Sequence, residues 1–86
     1  MDIFLSEKAE KELDKMDEIL RKLFISHIEK LQVTPPRKHL RFGIPFNVEK
    51  VTKSARLVYY IRDNQFIILH CFTTHKEYEK WYKSYK

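Results

Sequence analysis

Four side chains in the C-terminal half of the sequence have types suited to anion binding and proton transfer: Arg56, His75, Lys50 and Lys53. His75 falls at the first position of the helix signalled by Thr74-His75-Lys76-Glu77, where unpaired N–H groups and the helix dipole favour a phosphate. The positive end of that dipole also favours a neutral imidazole, able to act as general base or acid near neutral pH. Antiparallel pairing of the run that ends at Phe72 with the run that starts at Arg56 sets Arg56 and His75 at one end of a sheet. Lys50 then lies on the neighbouring strand and Lys53 in the adjoining turn. One imidazole among several cations suits attack of a ribose 2′-hydroxyl on the adjacent phosphodiester. That reaction needs in-line positioning, charge neutralisation on the phosphoryl oxygens and proton transfers, none of which requires a metal. Each residue alone is equally an ordinary surface cation or a helix-terminal histidine.

The distribution of charge points the same way. The net charge is +5, yet the residues before Pro35 carry 6 basic and 8 acidic side chains, against 11 basic and 4 acidic from Pro35 onward. Between positions 37 and 62, Arg37, Lys38, Arg41, Lys50, Lys53, Arg56 and Arg62 face the single acid Glu49. Such segregation is the footprint of a nucleic-acid or phosphate-binding face. Arg37, Lys38, Arg41 and Arg62 are therefore candidate phosphate contacts, and Tyr60 or Phe72 beside them can stack on a splayed base. Other chemistries have little support. One glycine, Gly43, excludes a glycine-rich nucleotide loop, no Cys/His spacing suits zinc, and no motif surrounds Cys71, so neither metal nor cofactor is expected.

These residues need a scaffold, and the stretch from Ala55 to His75 reads as its centre. Leu57–Ile61 and Phe66–Phe72 flank a polar turn at Asp63-Asn64-Gln65, the pattern of a β-hairpin. Alternation puts Ala55, Leu57, Tyr59 and Ile61 on a buried face and Arg56, Val58, Tyr60 and Arg62 on the other, predicting an open basic and aromatic surface there. Upstream, Ile3-Phe4-Leu5 is a short strand before Ser6, a helix N-cap. Apolar positions at Leu13, Met16, Ile19, Leu20, Leu23, Phe24, Ile28 and Leu31 then mark an amphipathic stripe. The spacing allows one helix over 7–32 or two. Asp14 and Asp17 can each cap a second helix, which favours a helical hairpin. Glu18 and Lys22 form an i,i+4 pair on its exposed side, and His27 reads as a helix-flank residue. Thr34-Pro35-Pro36 ends the helical part. A strand over Phe46–Val51 precedes the central hairpin, completing a three-strand meander, and Thr74 with Glu77 opens a C-terminal helix striped by Tyr78, Trp81, Tyr82 and Tyr85. His70, mid-strand, reads as structural.

The expected fold class is α+β: an N-terminal helical hairpin packed on a small, mainly antiparallel sheet of about four strands, plus a C-terminal helix, in one domain over 1–86. A single cysteine within an apolar strand suits a buried thiol in a cytoplasmic protein, and neither a signal-peptide profile nor a membrane-spanning run is present.

The ordered set of Phe4-Leu5-Ser6-Glu7, Lys38-His39, Lys50 through Thr52, Arg56-Leu57-Val58-Tyr59, Asp63, and Cys71 leading to a terminal histidine resembles the RelE/ParE toxin superfamily of type II toxin–antitoxin systems, and within it the RelE and YoeB mRNA interferases. The resemblance implies a toxin that enters the ribosomal A site and cleaves mRNA without a metal. A small, partly helical cognate antitoxin would neutralise it. Carried over by position, Arg56 matches the phosphate-stabilising arginine, Lys50 and Lys53 the basic residues that contact or activate the RNA, and His75 falls within one position of the terminal histidine–tyrosine pair of the YoeB branch. Tyr78 is the candidate for that tyrosine. Two departures stand out. The YoeB branch has a glutamate where this chain has Thr34-Pro35-Pro36, so proton transfer falls to His75, a lysine or Glu49. The C-terminal helix, absent from YoeB and present in RelE-like members, leaves the branch open; it permits autoinhibition by Trp81 and its neighbours, but core packing is the favoured role for that stripe. The rival readings are a ParE-like gyrase inhibitor and a degenerate RNA- or partner-binding domain.

Overall fold

The computed structural model describes residues 2–33 and 46–84. In chain order it contains β1 (Asp2–Leu5), α1 (Glu7–Lys15), α2 (Glu18–Val33), β2 (Asn47–Lys50), β3 (Arg56–Arg62), β4 (Gln65–Phe72) and α3 (His75–Lys83). The helical segment divides in two because polar side chains end and restart it. Ser6 Oγ accepts from Ala9 N–H at 3.0 Å to start α1, and Asp17 Oδ1 accepts from Leu20 N–H at 2.8 Å to start α2. Between them the Arg21 guanidinium donates to the carbonyls of Leu13, Asp14 and Met16 at 2.8–3.1 Å, satisfying groups that a helix end leaves without partners. Glu18 and Lys22 pair at 3.3 Å on the exposed side, as their spacing predicts.

The four strands form one mixed sheet in the order β1-β4-β3-β2. β2, β3 and β4 are the antiparallel meander, and β1 adds at the edge parallel to β4. The central hairpin closes through Asp63 and Asn64 alone, with φ of 47° and 65°, and Arg62 pairs with Gln65. Positive φ at both central residues matches the twist of the flanking strands, and aspartate and asparagine tolerate it.

One irregularity decides which residues face which layer. Val58 pairs with His70 but Tyr59 pairs with Ile68, so Leu69 is an extra residue in β4. The bulge shifts the alternation by one. Phe66, Ile68 and Cys71 therefore all line the side covered by α1 and α2, with Ala55, Leu57 and Tyr59 of the β3 side and Ala9, Leu13, Met16, Phe24, Ile28 and Leu31 of the helices. Ile19 and Leu23, expected in that stripe, lie outside it, Ile19 at 78% exposure. Phe24, Ile28 and Leu31 of the same stripe do point inward, with Leu20 packed against them.

The opposite face is not the open cationic surface that alternation suggests. α3 lies across it: Val58, Phe72 and Tyr78 are buried there, with Phe46, Val48, Leu69, Trp81 and Tyr82 packed around them. Phe72 is thereby removed as a base-stacking residue. Trp81 packs against Phe46, His70 and Phe72 with ring centroids 5.3–5.7 Å apart, so this stripe is a second small core.

β1 stops opposite Ile68, leaving the outer edge of β4 without a strand neighbour beyond it. Glu12 of α1 fills the gap. Its Oε1 accepts from Cys71 N–H at 2.9 Å, and Oε2 lies 3.1 Å from Nδ1 of His70, whose ring stacks on Phe72 at 4.7 Å. Glu12→Ala is expected to cost about 1–3 kcal/mol in urea unfolding because it orphans that partly buried donor. A loss below about 0.5 kcal/mol would show that the edge has no need of the carboxylate.

Candidate functional site

The register brings Lys50 beside Arg56 on the adjacent strand and sets Phe72 opposite Arg56 on the other. The end of the sheet where β3 begins therefore holds Lys50, Lys53, Arg56 and, three residues beyond Phe72, His75 at the start of α3. The turn between β2 and β3 is tied by Val51 N–H to Ala55 O at 3.1 Å, while Thr52 Oγ1 accepts from the N–H groups of Ser54 and Ala55. Arg56 is fixed on this turn. Its Nη1 donates to the carbonyls of Thr52, Lys53 and Ala55 at 3.0–3.2 Å, and all three bonds run through that one nitrogen. The turn thus anchors the guanidinium without using Nε or Nη2, the rest of a planar fork suited to phosphoryl oxygens. Lys50 and Lys53 stay exposed beside it.

His75 owes its place to the cap before it. Thr74 Oγ1 accepts from Glu77 N–H at 3.2 Å, and Thr73 Oγ1 lies 3.4 Å from Glu77 Oε1. The imidazole is half-exposed, with Nε2 2.6 Å from Oε1 of Glu79 one turn further on. Its ring centre lies 5.9 Å from that of Tyr78. Glu79 was not among the residues expected from sequence, although i,i+4 spacing on a helix is a signal that would have found it. Tyr78 itself is 3% exposed and belongs to the second core, which corrects its candidacy as a substitute for the tyrosine of a terminal pair.

Other candidates lie elsewhere. Arg62 is at the hairpin tip, six residues along β3 from Arg56 and therefore roughly 20 Å away, with its Nε 3.8 Å from Asp63. Tyr60 lies along the same strand, half-buried, with its ring edge-on to Phe46 at 6.3 Å. Glu49 pairs with Leu57, so it faces α2 and not the Arg56 side, and its Oε1 is 3.3 Å from Nδ1 of His27. That contact removes Glu49 as a base beside Arg56 and gives His27 a partner 22 residues away that no local pattern reveals. Arg37, Lys38 and Arg41 lie outside the described residues.

Among the described residues no group of three or more His, Cys, Asp or Glu side chains is placed to hold a metal ion, and no helix is long and apolar enough to cross a membrane. Cys71 has no reactive environment. Burial, and secondarily the negative charge of Glu12, pushes its thiol up to about 12 from 9.0. Reaction with a thiol reagent at pH 8 is expected to proceed only as fast as the chain opens, and fast labelling of folded protein would contradict this burial. The folded chain holds the thiol proton more tightly than the unfolded chain. Stability relative to Cys71→Ala is therefore unchanged below about 9 and falls as pH rises from there towards about 12.

No protein-family model matches the sequence, and no curated protein matches it. Solved structures do match in fold. The YoeB/ParE toxin from Agrobacterium tumefaciens superimposes with a TM-score of 0.72 at 13% identity, covering 84% of this chain and 96% of that one. The YoeB–YefM complex from Staphylococcus aureus gives 0.66 at 17% identity, over 84% and 94% of the two chains. A YafQ mutant, H87Q, from E. coli gives 0.59 at 14% identity, over 90% and 97%.

Proposed function

We propose that this chain, which has the fold of the RelE/ParE toxins, is the toxin of a type II toxin–antitoxin system and cleaves ribosome-bound mRNA. The observation that carries the reading is the gathering of Arg56, Lys50, Lys53 and His75 at one end of the sheet, with the guanidinium anchored by the turn. In the reaction the ribose 2′-oxygen attacks the adjacent phosphorus as its proton passes to His75. The P–O5′ bond breaks, leaving a 2′,3′-cyclic phosphate, and water protonates the departing 5′-oxygen. Arg56 stabilises the charge that builds on the phosphoryl oxygens, and the two lysines hold the RNA backbone. Arg37, Lys38, Arg41, Tyr60 and Arg62 extend the contact to phosphates, ribosomal RNA and bases. The YoeB–YefM complexes of the Staphylococcus neighbours support a cognate antitoxin as partner. The site of action is the cytoplasm.

Induced expression, followed by primer extension on a translated reporter, tests the reading. Growth arrest with new 5′ ends inside codons, lost on His75→Ala, is the expected result. Arrest without cleavage would move the protein to the gyrase-type reading, and well-expressed protein without arrest would make it a binding domain.

A further inference from the structure

Tyr78 is buried in the second core with Trp81 and Tyr82 packed around it, so helical periodicity gives the opposite side of α3 to Lys76, Lys80 and Lys83, all exposed. Spacings of four and three residues set them in one line about 10 Å long. The two carboxylates of the helix are drawn off that line. Glu77 lies in the cap made by Thr73 and Thr74, and Glu79 lies against His75. Among the described residues none of the three lysines has an acidic partner, whereas Lys11 on α1 and Lys22 on α2 each meet a glutamate one turn earlier, at 3.5 and 3.3 Å.

Local helix energetics do not account for the stripe. Lys80 and Lys83 suit the last turn, but Lys76 stands in the first, where the helix dipole disfavours a cation. Lys76 and Lys80 are also a like-charged i,i+4 pair, which weakens a helix. A face that only had to be solvated would be better served by a carboxylate at position 76, and breaches of local preference concentrate at functional surfaces. The stripe is continuous with the candidate site, because Lys76 follows His75 directly at the end of the sheet that holds Lys50, Lys53 and Arg56. It faces away from the sheet, however, so it engages a different stretch of backbone from the phosphate at Arg56.

We propose that Lys76, Lys80 and Lys83 form a second docking surface, for the phosphate backbone of double-helical RNA. A line of lysines without an aromatic residue among them suits phosphates and gives no platform for the splayed bases of a single strand. It positions the protein without reading sequence. Duplex binding by this face stands apart from any cleavage; its use in seating the protein on ribosomal RNA rests on the ribonuclease reading above.

Fluorescence anisotropy with a short RNA hairpin, over about 50 to 200 mM salt, tests the surface on the intact protein. Combining Lys76→Gln, Lys80→Gln and Lys83→Gln is expected to weaken binding about tenfold or more and to lower the slope of log affinity against log salt by about 2–3. A control combining Lys8→Gln, Lys11→Gln and Lys22→Gln removes the same charge from α1 and α2 and is expected to stay close to wild type. On ribosomes the α3 variant should need about tenfold more ribosome for half-maximal cleavage, at an unchanged saturating rate. Wild-type protein that does not bind the hairpin, an α3 variant that binds it as well as wild type, or a control that loses as much as the α3 variant overturns the proposal. So does an α3 variant that keeps its RNA affinity and instead loses an acidic protein partner. Wild-type protein that binds the hairpin through α3 yet cleaves nothing supports the surface and overturns the ribonuclease reading.

Discussion

On the ribonuclease reading proposed above, replacing Arg56 with alanine is expected to slow mRNA cleavage by about 100- to 1,000-fold, the usual effect of removing one pre-aimed donor to a developing oxyanion. The expectation follows from how the side chain is held. Three backbone carbonyls of the β2–β3 turn fix Nη1, so the guanidinium is ordered before substrate arrives and little reorganisation remains for the reaction. The same bonds give Arg56 a structural duty, and the alanine variant loses turn stability as well. Arg56→Lys separates the two roles. A lysine keeps the charge but is not a planar fork able to serve the turn and a phosphate together, so its rate should fall between the other two. Rates are compared well below each variant's melting temperature. A folded Arg56→Ala that cleaves at the wild-type rate would remove Arg56 from the chemistry.

The second large effect is on stability. Tyr78→Ala is expected to cost about 3–5 kcal/mol, because it empties the centre of the layer formed by Val58, Phe72 and Tyr78. Small domains are stable by only about 5–15 kcal/mol, so this is a large part of the total and corresponds to a drop in Tm of roughly 12–40 °C. Such a result would make α3 integral to the domain, in contrast to a detachable autoinhibitory latch, whose anchor could be cut with the remainder still folded. Tyr78→Phe keeps the ring and is expected to preserve both melting temperature and cleavage. Loss of cleavage in a fully folded Tyr78→Phe would return the hydroxyl to the chemistry.

Local signals carried much of this architecture. Ser6, Asp17 and Thr74 are short polar acceptors placed just before helical runs, and each caps the helix that follows. Asp63-Asn64 between two β-branched and aromatic runs closes the central hairpin for an equally local reason: few residues other than glycine accept positive φ. Once that turn and the β2–β3 connection are in place, antiparallel register requires Lys50, Arg56 and the end of β4 to meet, so this juxtaposition was legible without a fold.

Tertiary structure decided what depends on contacts between distant segments. The bulge at Leu69 breaks strict alternation, so Ile68 lies on the opposite face from His70 and Phe72 although their spacing says all three should share one. The even-numbered side of β3, Arg56 to Arg62, reads as a solvent face because strand periodicity says only that two faces differ, not what covers each; α3 covers much of this one. The pairs His70–Glu12 and His27–Glu49 join side chains 58 and 22 residues apart, beyond the reach of any helical or strand period. Periodicity and capping are properties of neighbouring residues, and the sequence determined them by itself. Which carboxylates His27 and His70 meet, and which strand face is left for a substrate, followed from how the layers pack.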